Sequence, residues 1–168
     1  MTLQIEINRQ DYSDFNKFNF VKTSLVKTIV VGLAACLLLQ IFLNKERFHL
    51  FASIVSFLAS IMAYSGLVYL QLIRTKKIPK DGGTTLGKRD MEFTNETIIC
   101  KTKHSVSSSN WTAVRSLEKG KSAVYLYVDS NMAYIIPKRY FKNEQEQEDF
   151  IKFAETKIKT NAPAGARL

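Results

Sequence analysis

Cysteine, histidine and proline are scarce in this chain: 168 residues hold two cysteines, two histidines and three prolines. Cys36 sits inside an apolar run and Cys100 in a polar strand, so a disulfide framework is not expected and a reducing compartment is consistent. His49 falls in the short loop between two apolar runs and His104 in the strand region beyond them. The two are expected on opposite sides of a membrane, so they do not make one metal site. No Cys-x-x-Cys, His-Glu-x-x-His or glycine-rich phosphate loop occurs. Gly82, Gly83 and Gly87 are too sparse for a nucleotide cradle and read as linker. The acids Glu144, Glu146, Glu148 and Asp149 cluster at a helix start, where the dipole favours negative charge. Convergent polar groups for catalysis are therefore lacking. No catalytic residue, cofactor or metal is expected, and the chain does not read as an enzyme.

Positive charge and apolar runs are what the chain has in plenty. Lysine and arginine number 24 against 15 acids, a formal net charge of +9. Such a surplus suits nucleic acid or the anionic face of a membrane. Position separates the two. Arg74, Lys76, Lys77, Lys80, Lys88 and Arg89 follow directly on an apolar run, with Asp81 the only acid among them. That is where a membrane protein carries its basic residues, so lipid is the expected partner and nucleic acid is not.

Two runs, Thr28 to Leu43 and Leu50 to Ile73, contain no Asp, Glu, Lys or Arg. A spanning helix needs about 20 apolar residues at ~1.5 Å each, and the second run has that length. The six residues Asn44 to His49 between the runs force an antiparallel arrangement. Segment 25–74 is thus expected to be a two-helix transmembrane hairpin. The surplus of basic residues outside it puts both termini in the cytoplasm. Gly32 and Cys36 in the first run, and Ala52, Ser56 and Ser60 in the second, form ridges of small residues. Those ridges suit packing of the two helices on each other or a homo-oligomer.

After the linker 75–90, residues 91–160 change to the period of strands. Val124, Leu126 and Val128 alternate with Ala123, Tyr125 and Tyr127, and turn signals at Glu118–Lys121 and Asp129–Asn131 flank them. Pro137 ends the next strand, and Asn143 with Glu146 three residues on reads as a helix cap. Phe150, Ile151, Phe153, Ala154 and Ile158 then make one apolar stripe that closes the core. The tail 161–168 reads as disordered. At the other end, Leu3 to Ile7 alternates as a strand and Asp11 opens a short helix carrying Tyr12, Phe15 and Phe18. A lone strand is unstable. Residues 1–24 are therefore expected to join the C-terminal sheet, with the hairpin interrupting the domain.

An N-terminal strand and aromatic helix, two apolar helices, Trp111, a tyrosine-rich strand and Ile135-Ile-Pro-Lys-Arg-Tyr-Phe141 before a Glu/Phe-rich helix together resemble the YcxB-like family of bacterial membrane proteins. The resemblance covers mainly residues 90 to 155. It implies a pleckstrin-homology-like C-terminal region, a bent antiparallel sheet closed by a helix, in a bacterial inner-membrane protein with both termini cytoplasmic. It carries over no catalytic residues.

The expected fold is thus α+β: a transmembrane hairpin plus a small antiparallel β domain with a C-terminal helix. Lys138 and Arg139 are expected to join Lys88 and Arg89 in a basic face for a membrane surface or an anionic partner, and Trp111 is a candidate partner contact. The expected function is a non-enzymatic, membrane-anchored binding or regulatory module with a protein partner. Alternatives are an immunity protein that neutralises a membrane-active toxin and a sensor of anionic lipid headgroups.

Overall fold

The computed structural model describes residues 1–23, 29–30, 32–34, 37–38, 50–77, 79 and 85–161. They belong to two units, one made of Met1–Phe15 with Ile78–Leu168 and the other of Asn16–Lys77.

The first unit begins with β1 (Thr2–Ile7), whose Leu3, Ile5 and Ile7 are buried while the residues between them are exposed. It pairs antiparallel with β2 (Gly87–Phe93), Ile7 lying opposite Gly87. Strand β3 (Thr97–Thr102) follows, then β4 (Val106–Asn110), giving one four-stranded sheet in the order β1-β2-β3-β4. Threonines build two of its turns. Thr94 Oγ1 accepts the Thr97 N–H at 2.9 Å, and Thr102 Oγ1 accepts the Ser105 N–H at 3.0 Å. A 3₁₀ turn at Trp111–Ala113 leads to a second sheet of β5 (Ser116–Lys119), β6 (Ala123–Asp129) and β7 (Met132–Pro137).

Strand β6 is buried on both faces from Ala123 to Tyr127. One set of its side chains, Val124 and Leu126, alternates with Tyr125 and Tyr127. The tyrosines are covered by Phe15, whose ring centroid lies 5.4 Å from that of Tyr125 and 5.9 Å from that of Tyr127. Phe15 belongs to α1 (Arg9–Thr23), a helix opened by reciprocal caps: Asn8 Oδ1 accepts the Asp11 N–H and Asp11 Oδ2 accepts the Asn8 N–H, both at 2.9 Å. Asn8, not Asp11, is therefore the cap residue.

The segment expected to be a polar connection, Ser105 to Asn110, supplies β4. Two of its serines bond to neighbouring strands: Ser107 Oγ donates to the Cys100 carbonyl at 3.4 Å, and Ser109 Oγ lies 2.8 Å from Tyr134 Oη on β7.

The unit's last helix runs from Glu144 to Asn161. Asn143 Oδ1 accepts the Glu146 N–H at 2.8 Å, and the Glu146 carboxylate accepts the Lys142 N–H at 2.6 Å. Phe150, Ile151 and Ala154 are buried beneath it. Phe150 meets Phe93 edge-on at 4.8 Å and Phe141 at 5.5 Å, an aromatic cluster at the core.

In the second unit the long helix, α2 (Leu50–Lys77), has 28 residues. The expected transmembrane hairpin over 25–74 is corrected here, and with it the multi-pass inner-membrane location. Among the described residues, no helix is long and apolar enough to cross a membrane. Serine, tyrosine and glycine recur along α2, and its last turns carry Arg74, Lys76 and Lys77. Ser60 returns its hydroxyl to the Ser56 carbonyl at 2.8 Å. Large apolar side chains remain exposed on the helix, among them Val55, Leu58, Met62 and Leu67. The short loop 44–49 and most of the first apolar run lie outside the described residues, as does the tail 162–168.

Candidate anion-binding cleft

The alternation of β2 and β3 directs Lys88 and Asp90, and Lys101, away from the buried Met91, Phe93, Ile98 and Cys100, and Lys103 follows on the turn after β3. Antiparallel pairing places Lys101 opposite Asp90 and Lys88 opposite Glu6. At the end of the sheet β1 stops, β2 starts and β3 turns. Gly87, at φ 108°, is in the left-handed region that lets the chain enter β2 there.

These ends enclose a cleft of about 1010 Å³. Its first wall is Glu6 to Gln10, the end of β1 and the start of α1. Its floor is Leu86 to Asp90, and its second wall is Lys101 to His104, presented by the threonine turn. Arg9, Lys88, Arg89, Lys101 and Lys103 oppose only Glu6 and Asp90 in this lining. Cross-strand pairing with acids offsets part of the charge at Lys88 and Lys101, and the surplus remains positive. Lys88, Lys101 and Lys103 are exposed. The Arg89 guanidinium donates through Nη2 to the Thr85 carbonyl. A site of this kind attracts carboxylates or phosphates.

Lys88 and Arg89 are the two expected site residues that this cleft brings together. Arg139 has another task. Its Nη1 donates to Asp11 Oδ1 at 2.6 Å and its Nη2 to Asp11 Oδ2 at 2.7 Å, a bidentate pair with a carboxylate that is 4 % exposed. The same Nη2 reaches the Glu6 carbonyl at 2.9 Å, and the guanidinium stacks over the Tyr140 ring at 4.8 Å. The hydrogen bonds to Asp11 hold the Arg139 proton well above the usual range for arginine. Lys138, half-buried on the 3₁₀ turn after β7, gives its backbone N–H to the Ser122 carbonyl at 2.9 Å. Arg74 is exposed on α2, in the other unit. Lys76 and Lys77 end that helix, with side chains outside the described set, and Lys80 lies outside the described residues altogether.

Trp111 is in the core. It is 1 % exposed, its Nε1 donates to the Thr94 carbonyl at 3.0 Å, and its ring meets Phe153 edge-on at 5.6 Å. It offers a partner no surface. Cys100 is also buried, and burial pushes its thiol pKa up despite the nearby Arg89, so it is a poor nucleophile. Among the described residues, no group of three His, Cys, Asp or Glu could hold a metal ion.

Arg9, Lys101, Lys103 and His104 are site residues that sequence pattern did not assign. The outward alternation of Lys101 and Lys103 was a signal, but only strand register brings them to Lys88.

The aromatic core, the tyrosine-bearing β6, β7 with its Pro-Lys-Arg-Tyr end and the capped C-terminal helix all fall in one stretch of sequence. Residues 93–154 match the family model described as YcxB-like protein. No curated protein and no solved structure matches the chain. The YcxB-like segment includes the Lys101–His104 wall of the cleft. The floor and the first wall, from Leu86 to Asp90 and from Glu6 to Gln10, lie outside it.

Proposed function

We propose that the chain is a non-enzymatic binding or regulatory module whose first unit takes an acidic segment of a protein partner in the basic cleft. The presence of five lysine and arginine residues in the lining of one open cleft carries this reading. The layout supports a recognition domain of the pleckstrin-homology type: a four-stranded sheet, a three-stranded sheet and a C-terminal helix. The cleft is open enough for an extended chain, and its first wall and floor meet where β1 pairs with β2. Anchoring by a transmembrane hairpin is no part of this reading.

The test is titration of the full chain with a fluorescent hexaglutamate peptide, followed by anisotropy. Saturable binding that weakens steeply with salt is expected. Each lysine contributes about 0.5–1 kcal/mol, so replacing Lys88, Lys101 and Lys103 together by glutamine should weaken binding roughly 10- to 150-fold. A triple variant that binds like the parent would refute the assignment. Flotation with phosphatidylglycerol vesicles and no response to the peptide would replace the acidic segment by a lipid headgroup.

A further inference from the structure

Arg139 was expected at the binding face, yet it is not among the residues that line the cleft. It fastens the first wall instead. Its guanidinium holds the Glu6 carbonyl at 2.9 Å and both Asp11 carboxylate oxygens at 2.6 and 2.7 Å. Tyr140 Oη adds a hydrogen bond to the same Glu6 carbonyl at 3.2 Å. Asp11 in turn accepts the Asn8 N–H at 2.9 Å. The stretch Glu6 to Asp11 is thus pinned at both ends by one side chain, and the cleft residues Ile7 to Gln10 lie between the pins.

We infer that Arg139 is a positioning residue for the anionic ligand: clamped on Asp11 and on the Glu6 carbonyl, it fixes the Glu6–Gln10 wall and thereby holds Arg9 at the cleft. This rests on the function proposed above. The geometry needs arginine. A lysine has no planar fork, so it cannot bond both carboxylate oxygens and the Glu6 carbonyl in this arrangement. The wall would then keep its β1 pairing up to Ile7 but lose the tie beyond it, where Arg9 sits. The clamp also lies partly outside the segment shared with YcxB-like proteins, since Asp11 and Glu6 are outside residues 93–154.

The experiment is a double-mutant cycle on the full chain with Arg139→Lys and Arg9→Gln, read by hexaglutamate anisotropy at several salt concentrations. Circular dichroism of each variant at the assay temperature verifies that it is folded. Asp11→Asn, which keeps the cap acceptor and removes the charge, serves as the second route to the same loosened wall. Each single variant should lose roughly two- to fivefold in affinity and show a shallower salt dependence, and the double variant should lose no more than either single one. A merely structural Arg139 would move the melting temperature and leave the salt dependence unchanged. If Arg139→Lys and Asp11→Asn bind like the parent, or if the losses add with Arg9→Gln, the positioning role is overturned and the binding module stands. If the parent chain shows no saturable binding to peptide, both fall.

Discussion

Replacing Trp111 by phenylalanine separates a core role from a contact role. The indole is 1 % exposed and bonds the Thr94 carbonyl at 3.0 Å, between Phe93 at 6.4 Å and Phe153 at 5.6 Å. Losing that hydrogen bond costs about 1 kcal/mol, and more where the Thr94 carbonyl finds no water. The missing ring leaves about 40 Å³, worth ~1 kcal/mol at ~24 cal/mol per Å³ of cavity, in addition to the lost burial of the removed atoms. The sum is roughly 2–4 kcal/mol. For a domain of this size that lowers the melting temperature by roughly 8–25 °C. Urea unfolding followed by far-ultraviolet circular dichroism measures it, and the midpoint should fall with no change in slope. In the parent the same residue is the only tryptophan, so its emission should be that of a buried indole and should shift red on unfolding. Below its transition the variant should bind hexaglutamate as the parent does, because Trp111 lines no wall of the cleft. An unchanged midpoint with peptide binding lost would overturn this account and return Trp111 to the contact surface.

Gly120→Ala should destabilise by about 1–3 kcal/mol in the same urea assay, because a Cβ there would lie 2.5 Å from Tyr125 Cε2 and 3.0 Å from the Ala123 carbonyl oxygen. The Tyr125 ring is buried and cannot swing aside. Alkaline stability follows from the same tyrosine: burial, with the charge of Asp14 adding to it, pushes the Tyr125 phenol up from 10.0 to about 12. A pKa raised by folding gives stability that is complete below the unfolded value and lost as pH climbs through the folded one. Roughly 2–3 kcal/mol should therefore disappear between about pH 10 and 12, at ~1.4 kcal/mol per pH unit. Tyr125→Phe should remove most of that loss, and an equal alkaline loss in the variant would assign it elsewhere.

Local pattern was enough for those elements whose cause is local. The alternation through β6 and the Asn143–Glu146 cap each need only a few neighbouring residues, and both are where the pattern places them. Strand β4 was hidden because its residues are mostly serine, with no apolar alternation to mark one side. Hydrogen bonding holds it instead, with the Ser107 and Ser109 hydroxyls bonded to Cys100 and Tyr134.

The basic residues show why neighbours along the chain are the wrong unit for a binding face. Lys138 and Arg139 read as one pair with one purpose. Arg139 instead bonds Asp11, 128 positions away, and its charge is matched by a buried carboxylate. A cation whose charge is met inside the fold contributes little to an external field. Lys101 and Lys103, by contrast, look like the wet side of an ordinary strand and the turn that follows it. They become part of a site only because β2 pairs with β3 in the register that sets Asp90 opposite Lys101. The N-terminal wall reaches them because β1 pairs with β2 and puts Ile7 opposite Gly87. A one-residue slip in either ladder would turn the inward residues of that strand outward and bury its charges. The hydrophobic residues Leu3, Ile5, Ile7, Met91, Phe93, Ile98 and Cys100 thus fix which cations share the cleft, although none of their apolar atoms would recognise an anion.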